Sequence, residues 1–314
     1  MSTTPAPTPT AAAGTASGQA PVIALLPSIS VLADRYDAWL ADIWGVIHNG
    51  VAAFEAACDA CVRFRARGGT VVLITNAPRP WHAVAAQLDR LGVPRTAYDA
   101  IVTSGDVTRA LLASQAGRSV FHLGPDRDRG VFEAAPPGFA TPRFAPIEVA
   151  DLVVNTGLFD DLTETPADYD VMLRGLRQRG VPMICANPDL MVERGNKLLY
   201  CAGALAQSYE AIGGRVLYAG KPHPPIYERA FDLIAKAKGL AVGQRRILAI
   251  GDGLHTDMAG AEAAGLDAVF IPSLLHMPNL AHAGGETAIS SAGISALFND
   301  GAFQPVAAQL GLRW

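Results

Sequence analysis

Two aspartates, Asp42 and Asp252, each stand where a short apolar run gives way to glycine, in Asp42-Ile43-Trp44-Gly45 and Gly251-Asp252-Gly253. Paired carboxylates of this kind make a hard, oxygen-rich site that suits Mg²⁺. Asp257, five residues beyond Asp252, could hold that loop or reach the metal's water shell. Two further runs end in Thr75-Asn76 and in Gly220-Lys221-Pro222, which add hydroxyl, amide and ammonium donors. A phosphoryl group in transfer spreads negative charge over its equatorial oxygens, so a metal, a Lys and aimed donors are what stabilise it. A carboxylate among them can serve as covalent nucleophile.

These residues act together only if their runs lie side by side. Short apolar runs alternate with helical patterns along the chain, which is the signature of βαβ units and a mainly parallel sheet. The runs at 38–43, 70–75, 100–103, 119–123, 152–155, 182–186, 216–219, 246–250 and 268–271 read as strands. Ligands of open parallel sheets collect beyond the carboxyl ends of strands, where all four polar exits fall. The stretch between Asn76 and Lys221 carries strand and helix patterns of its own and a Pro-rich joint at 135–138, so it reads as an inserted domain. The expected architecture is α/β: a Rossmann-like parallel-sheet core from 30–79 and 201–314, with an α/β cap at 80–200. Residues 2–20 are almost all Ser, Thr, Pro, Ala and Gly, so 1–29 is expected to be a disordered tail.

Composition narrows the function. The 25 basic and 29 acidic residues give a net charge of −4 with no Lys/Arg stripe, which argues against nucleic-acid binding. No run reaches the 18 or more apolar residues of a membrane-spanning helix. Four cysteines, Cys58, Cys61, Cys185 and Cys201, are too few and scattered for a disulfide framework, and a reducing cytoplasm is the expected compartment. Cys58 and Cys61 share one apolar face of a helix expected over 54–67, so packing rather than redox or zinc chemistry is the reading there.

In order and spacing, the four polar segments resemble the four motifs of the haloacid dehalogenase superfamily, covering Asp42 through Asp257. The insertion point, the Thr75-Asn76 pair, Gly220-Lys221-Pro222 and Ala186-Asn187-Pro188-Asp189 are similar to the NagD-like subgroup with its large α/β cap. The resemblance implies that Asp42 attacks phosphorus and ligates Mg²⁺, with Asp252 as the second carboxylate ligand. The main-chain carbonyl of Trp44 would complete the protein's share of the metal shell. Thr75 and Lys221 would hold phosphoryl oxygens, Asp257 would support the loop, and Asn76, Asn187 and Asp189 would face a small phosphorylated metabolite such as a sugar phosphate. A homodimer is the assembly that the subgroup suggests.

One position departs from that pattern. The second Asp of the first motif, general acid and base in phosphatases of the superfamily, is Trp44 here, and indole is a donor only. A positioned acid-base is worth roughly 10²–10⁴-fold in rate. Three readings follow. A phosphatase could draw on His48 or His255, or take a substrate with a good leaving group such as an acyl phosphate. An aromatic at this position also resembles the dehalogenases proper, which need no Mg²⁺; the intact segment from Gly251 to Asp257 ranks that reading lower. The third reading is a phosphate-ligand-binding or regulatory protein without turnover. Trp44 itself reads structurally as an aromatic plug beneath the cap, and Glu193, Arg194 and Asn196 suit either the cleft or an exposed hairpin.

Overall fold

The computed structural model describes residues 22–133, 141–194, 197–273, 289–298 and 303–314. In chain order the strands are β1 (Ala38–Asp42), β2 (Thr70–Thr75), β3 (Ala100–Thr103), β4 (Ser119–Leu123), β5 (Arg143–Phe144), β6 (Leu152–Asn155) and β7 (Met183–Cys185). They continue with β8 (Met191–Arg194), β9 (Lys197–Tyr200), β10 (Val216–Tyr218), β11 (Ile247–Gly251), β12 (Asp267–Phe270) and β13 (Ala307–Ala308). The helices are α1 (Glu55–Ala66), α2 (Trp81–Leu91), α3 (Ser104–Ser114), α4 (Asp170–Gln178), α5 (Ala202–Ala211), α6 (Pro224–Lys238), α7 (Ala259–Ala263) and α8 (Ser291–Ala296).

The core is a six-stranded sheet in the order β13-β12-β11-β1-β2-β3, with every pairing parallel. Side chains alternate across it, as strand geometry requires. Trp39, Val71 and Leu73 enter one apolar layer with α1 and α2, while Leu40, Val72 and Ile74 enter the other with α6. Both faces are covered, so β1 is buried along its whole length and reads as an uninterrupted apolar run. The sequence order reverses at β1, flanked by β11 and β2, and the crevice beyond such a switch point is the usual place for a ligand.

A second parallel sheet, β10-β7-β6-β4-β5, forms the cap. Leu173 and Leu176 of α4 and Leu205 and Tyr209 of α5 fill the layer on one face; Leu112 of α3, Val131 and Phe132 fill the other. β8 and β9 form a separate antiparallel ribbon.

The expected boundaries shift at both ends of the insertion. The 100–103 run is a core strand, because it pairs with β2 and Val84, Ala85 and Leu88 of α2 pack into the core. The Pro78-Arg79-Pro80 turn therefore opens one more βαβ crossover rather than the cap, and Pro80 is the N-cap of α2. At the other end, the chain does not return to the core at 201–203: α5 packs on the cap and β10 is its edge strand. The expected tail also ends earlier. Ile23 is buried, and Leu26 and Ile29 donate backbone hydrogen bonds to Ala308 and Arg313. The stretch before residue 22 and the 135–138 joint lie outside the described residues.

All four cysteines are buried free thiols, with Cys58 and Cys61 in the core layer beneath α1. Burial pushes their thiols up, away from the reactive thiolate. Among the described residues no helix is long and apolar enough to cross a membrane.

Trp39, the second residue of β1, is fully buried and stacks on Phe64 of α1, with centroids 4.0 Å apart and planes within 3°. Trp39→Ala should cost about 3–5 kcal/mol in urea unfolding, the usual range for deleting a buried aromatic side chain. A loss below about 1 kcal/mol would show that this stack does not anchor the sheet.

Candidate active site

Asp42 is the last residue of β1 and is buried because strands run on both sides of it. Immediately after it the chain must turn sharply past the end of β11. Gly45 makes that possible: its φ is +84°, and a Cβ there would lie 2.3 Å from Asp252 Oδ2. The backbone of 44–45 is thereby brought against the Asp252 carboxylate.

Lys221 reaches the site from the opposite direction. Its strand, β10, belongs to the cap sheet, so the expectation of four neighbouring core-strand exits is corrected at this position. The buried Lys221 Nζ donates to Asp42 Oδ1 at 2.5 Å and to Asp257 Oδ1 at 2.7 Å. Asp257 Oδ2 accepts the Gly253 N–H at 3.0 Å, which ties the loop after β11 to the same ammonium.

Burial opposes the Lys221 charge, but Asp257, Asp42 and Asp189 outweigh it and hold the ammonium well above its ordinary pKa. Burial raises Asp42 well above the usual carboxylate range, with Asp257 and Asp252 adding to the shift and Lys221 opposing it. Asp252 is raised to about 7, chiefly by burial and then by Asp257.

These carboxyls are one cation short. Asp42, Asp252 and Asp257 bring oxygens within 4.8 Å of one another, and Lys221 is the ammonium paired among them. A divalent cation would supply the missing charge, and an all-oxygen donor set fits a hard ion. Because both Asp257 oxygens are already hydrogen-bonded, Asp42, Asp252 and the neighbouring backbone of Trp44 are the groups positioned to hold it, with Asp257 as support.

Thr75 ends β2 inside the same cleft, where its Oγ1 accepts the Ala77 N–H at 3.2 Å. Asn76, expected to face substrate, uses its amide within the protein. Its Oδ1 accepts the Lys221 N–H at 2.7 Å, and its Nδ2 donates to Asp189 Oδ1 at 2.9 Å and to the Lys221 carbonyl at 3.2 Å. The side chain thus clasps the core strand, the Lys221 loop and the cap. Gly220 permits the close approach, since a Cβ there would lie 2.3 Å from Asn76 Oδ1.

Asp189 borders the cleft, held by Asn76. Asn187 does not line it; its Oδ1 accepts the Asp189 N–H at 3.1 Å, so it shapes the loop instead. Trp44 lines the cleft but rests on its own loop rather than serving as a plug against the cap alone. It lies edge-on to His48 at 5.2 Å, and Gly50 leaves room for its ring. His48 is buried, its Nδ1 accepts the Gly50 N–H, and burial lowers its pKa to about 4, so it is neutral and no proton donor near pH 7. His255 is exposed at the cleft rim. The side chains of Glu193, Arg194 and Asn196 lie outside the described set.

Sequence reasoning named Gly45 and Gly220 within their motifs but assigned neither the close backbone approach that it permits. It missed the cap wall of a cleft of about 1580 Å³, to which Gln207, Glu210, Tyr218 and His223 contribute.

Comparison with known proteins follows the same lines. Residues 39–136 match a family described as haloacid dehalogenase-like hydrolase, and residues 218–286 match one described as HAD-hydrolase-like. A crystal structure of a hydrolase of the haloacid dehalogenase-like family from Brucella suis 1330 is 45% identical, with a TM-score of 0.79, covering 91% of this chain and all of that one. The 5'-nucleotidase YutF of Bacillus subtilis is 26% identical over 238 residues, 75% of this chain and 87% of its own. D-glycerol 3-phosphate phosphatase of Mycobacterium tuberculosis is 30% identical over 247 residues, 76% of this chain but 64% of its own length.

The carboxylate cluster would make binding of a divalent cation dependent on pH. Asp252 is protonated below about pH 7 and ionised above it, whereas in the unfolded chain a carboxyl ionises near pH 4. In the metal-free protein, stability from this group is present at low pH and lost as pH rises through 7. A divalent cation bound to the ionised cluster would offset that loss. The gain in thermal midpoint on adding Mg²⁺ should be larger at pH 8 than at pH 5.5; equal gains at both would contradict the shifted carboxyl.

Proposed function

Because this chain belongs to the haloacid dehalogenase-like hydrolase family, in its NagD-like subgroup, we propose that it is a Mg²⁺-dependent phosphatase of a small phosphorylated metabolite. The observation that carries this reading is the buried Lys221 ammonium, paired to Asp42 and Asp257 beside the Asp252 carboxylate.

An Asp42 oxygen attacks the substrate's phosphorus, the bond from phosphorus to the leaving oxygen breaks, and an aspartyl-phosphate forms on Asp42. Water then attacks that phosphorus, releasing inorganic phosphate and restoring the carboxylate. Lys221 and Thr75 receive the phosphoryl oxygens, and Asn76 holds the Lys221 backbone in place. Asp42, Asp252 and the Trp44 carbonyl would hold the Mg²⁺, which supplies positive charge opposite the phosphoryl oxygens when bound. With Trp44 in place of the usual acid, the leaving oxygen takes its proton from water. The cap covers the cleft and selects the substrate. Four buried free thiols support a reducing cytoplasm as its compartment.

The relatives named as a 5'-nucleotidase and a D-glycerol 3-phosphate phosphatase support phosphate-ester hydrolysis over dehalogenation. The carboxylate cluster weighs the same way, because a dehalogenase of the superfamily needs no metal. Trp44 favours one second reading, a phosphate-ligand-binding protein without turnover.

An activity screen across sugar, aryl and acyl phosphates separates these. Mg²⁺-dependent phosphate release should be abolished by EDTA and should fall about thousandfold or more in Asp42→Asn. Binding with no release by the wild type across the panel would favour the non-enzyme. Chloride released from a 2-haloacid and undiminished by EDTA would favour the dehalogenase.

A further inference from the structure

The cap contributes a polar wall to the cleft. Gly203, Gln207 and Glu210 stand at i, i+4 and i+7 on α5, and all three line the cleft, so one face of the helix is turned toward the substrate. Glu210 Oε2 accepts the Tyr218 hydroxyl at 2.7 Å. Tyr218 is in turn stacked on His223, with centroids 4.2 Å apart and planes within 3°. Burial lowers the pKa of the His223 ring, and the residue's backbone N–H donates to the Gly220 carbonyl. This chain of contacts holds the Glu210 carboxylate by one oxygen at the cleft wall, with Gln207 one turn away on the same helix face. Tyr218 and His223 stand three residues before and two after Lys221, and all three line the same cleft.

Its chemistry is selective. A carboxylate and a carboxamide offer two acceptors and an amide donor, which pair with hydroxyl groups. Apart from Lys221, the cleft lining among the described residues holds one cation, Arg313, and its guanidinium donates to the Leu310 carbonyl. A second anionic group on the substrate would meet the Glu210 carboxylate, and like charges brought together in a closed cleft are costly.

Resting on the phosphatase reading above, we infer that Glu210 and Gln207 form a leaving-group subsite for polyhydroxylated, otherwise uncharged monophosphates, and that Glu210 excludes phosphorylated hydroxy acids and bisphosphates. Tyr218 and His223 are positioning residues that hold the carboxylate in its orientation.

Two measurements test this. The first compares kcat/KM for a neutral polyol monophosphate, a phosphorylated hydroxy acid of similar size and p-nitrophenyl phosphate. The wild type should prefer the polyol monophosphate to the hydroxy acid. Glu210→Ala should lower the ratio of polyol monophosphate to p-nitrophenyl phosphate about tenfold, mainly through KM, as expected for losing a hydrogen bond to a charged group. Glu210→Lys should turn the preference toward the phosphorylated hydroxy acid. The second is calorimetric binding of the polyol monophosphate with Mg²⁺ to Asp42→Asn protein, where Glu210→Ala should weaken Kd about tenfold even without turnover. An unchanged ratio and an unchanged Kd overturn the subsite. Activity on p-nitrophenyl phosphate reports on the phosphatase reading separately, so the two can fail independently.

Discussion

The buried ammonium of Lys221 holds this molecule's chemistry together. It is the contact through which the core strand end carrying Asp42 and the loop after β11 carrying Asp257 meet a segment delivered by the cap. A buried ion pair contributes little net stability, because desolvating both partners offsets most of their attraction, but removing one partner costs about 3–5 kcal/mol. The value of the contact is therefore geometric. It places a positive charge against Asp42 that opposes the effect of burial there, within a cluster of three carboxyls that a divalent ion would complete.

Much of the surrounding architecture follows from keeping that charge in position. Asn76 binds both the N–H and the carbonyl of Lys221 and reaches Asp189 on the cap, so one side chain couples the Lys221 segment to the roof of the cleft. Gly45 and Gly220 allow backbone to approach Asp252 and Asn76 at distances that no side chain permits. Trp44 departs from the superfamily pattern without disturbing this arrangement, because its ring packs on the 48–50 turn while the next residue, Gly45, stays against Asp252. The substitution removes a proton donor and leaves the electrostatic frame intact.

The parts of the fold legible in the sequence were those buried on both faces. Strands such as β1, β2 and β11 are uninterrupted apolar runs, and their glycine-bounded polar exits marked where ligands collect. The two-residue strands β5 and β13 are too short to form a pattern, and the β8–β9 ribbon is partly exposed. The domain boundaries slipped because an apolar run does not say which sheet it joins. β3 looked like part of the insertion and β10 like part of the core, and only pairing with β2 and β7 decides the matter. Within the site, residue types and motif spacing singled out the carboxylates and Lys221, which the fold brings together. The clasping role of Asn76 depends on a partner 145 residues away, and Gln207 and Glu210 on α5 look from sequence like any solvated helix face.

The central claim is that Asp42 is a covalent nucleophile rather than only a metal ligand. Acid-quenching the protein during Mg²⁺-dependent turnover and mapping the phosphorylated peptide by mass spectrometry tests it directly. A phosphoryl group on Asp42, formed and lost at rates that account for steady-state turnover, is the predicted result. Turnover with no phosphoryl-enzyme formed, or with the label on another residue, would contradict it.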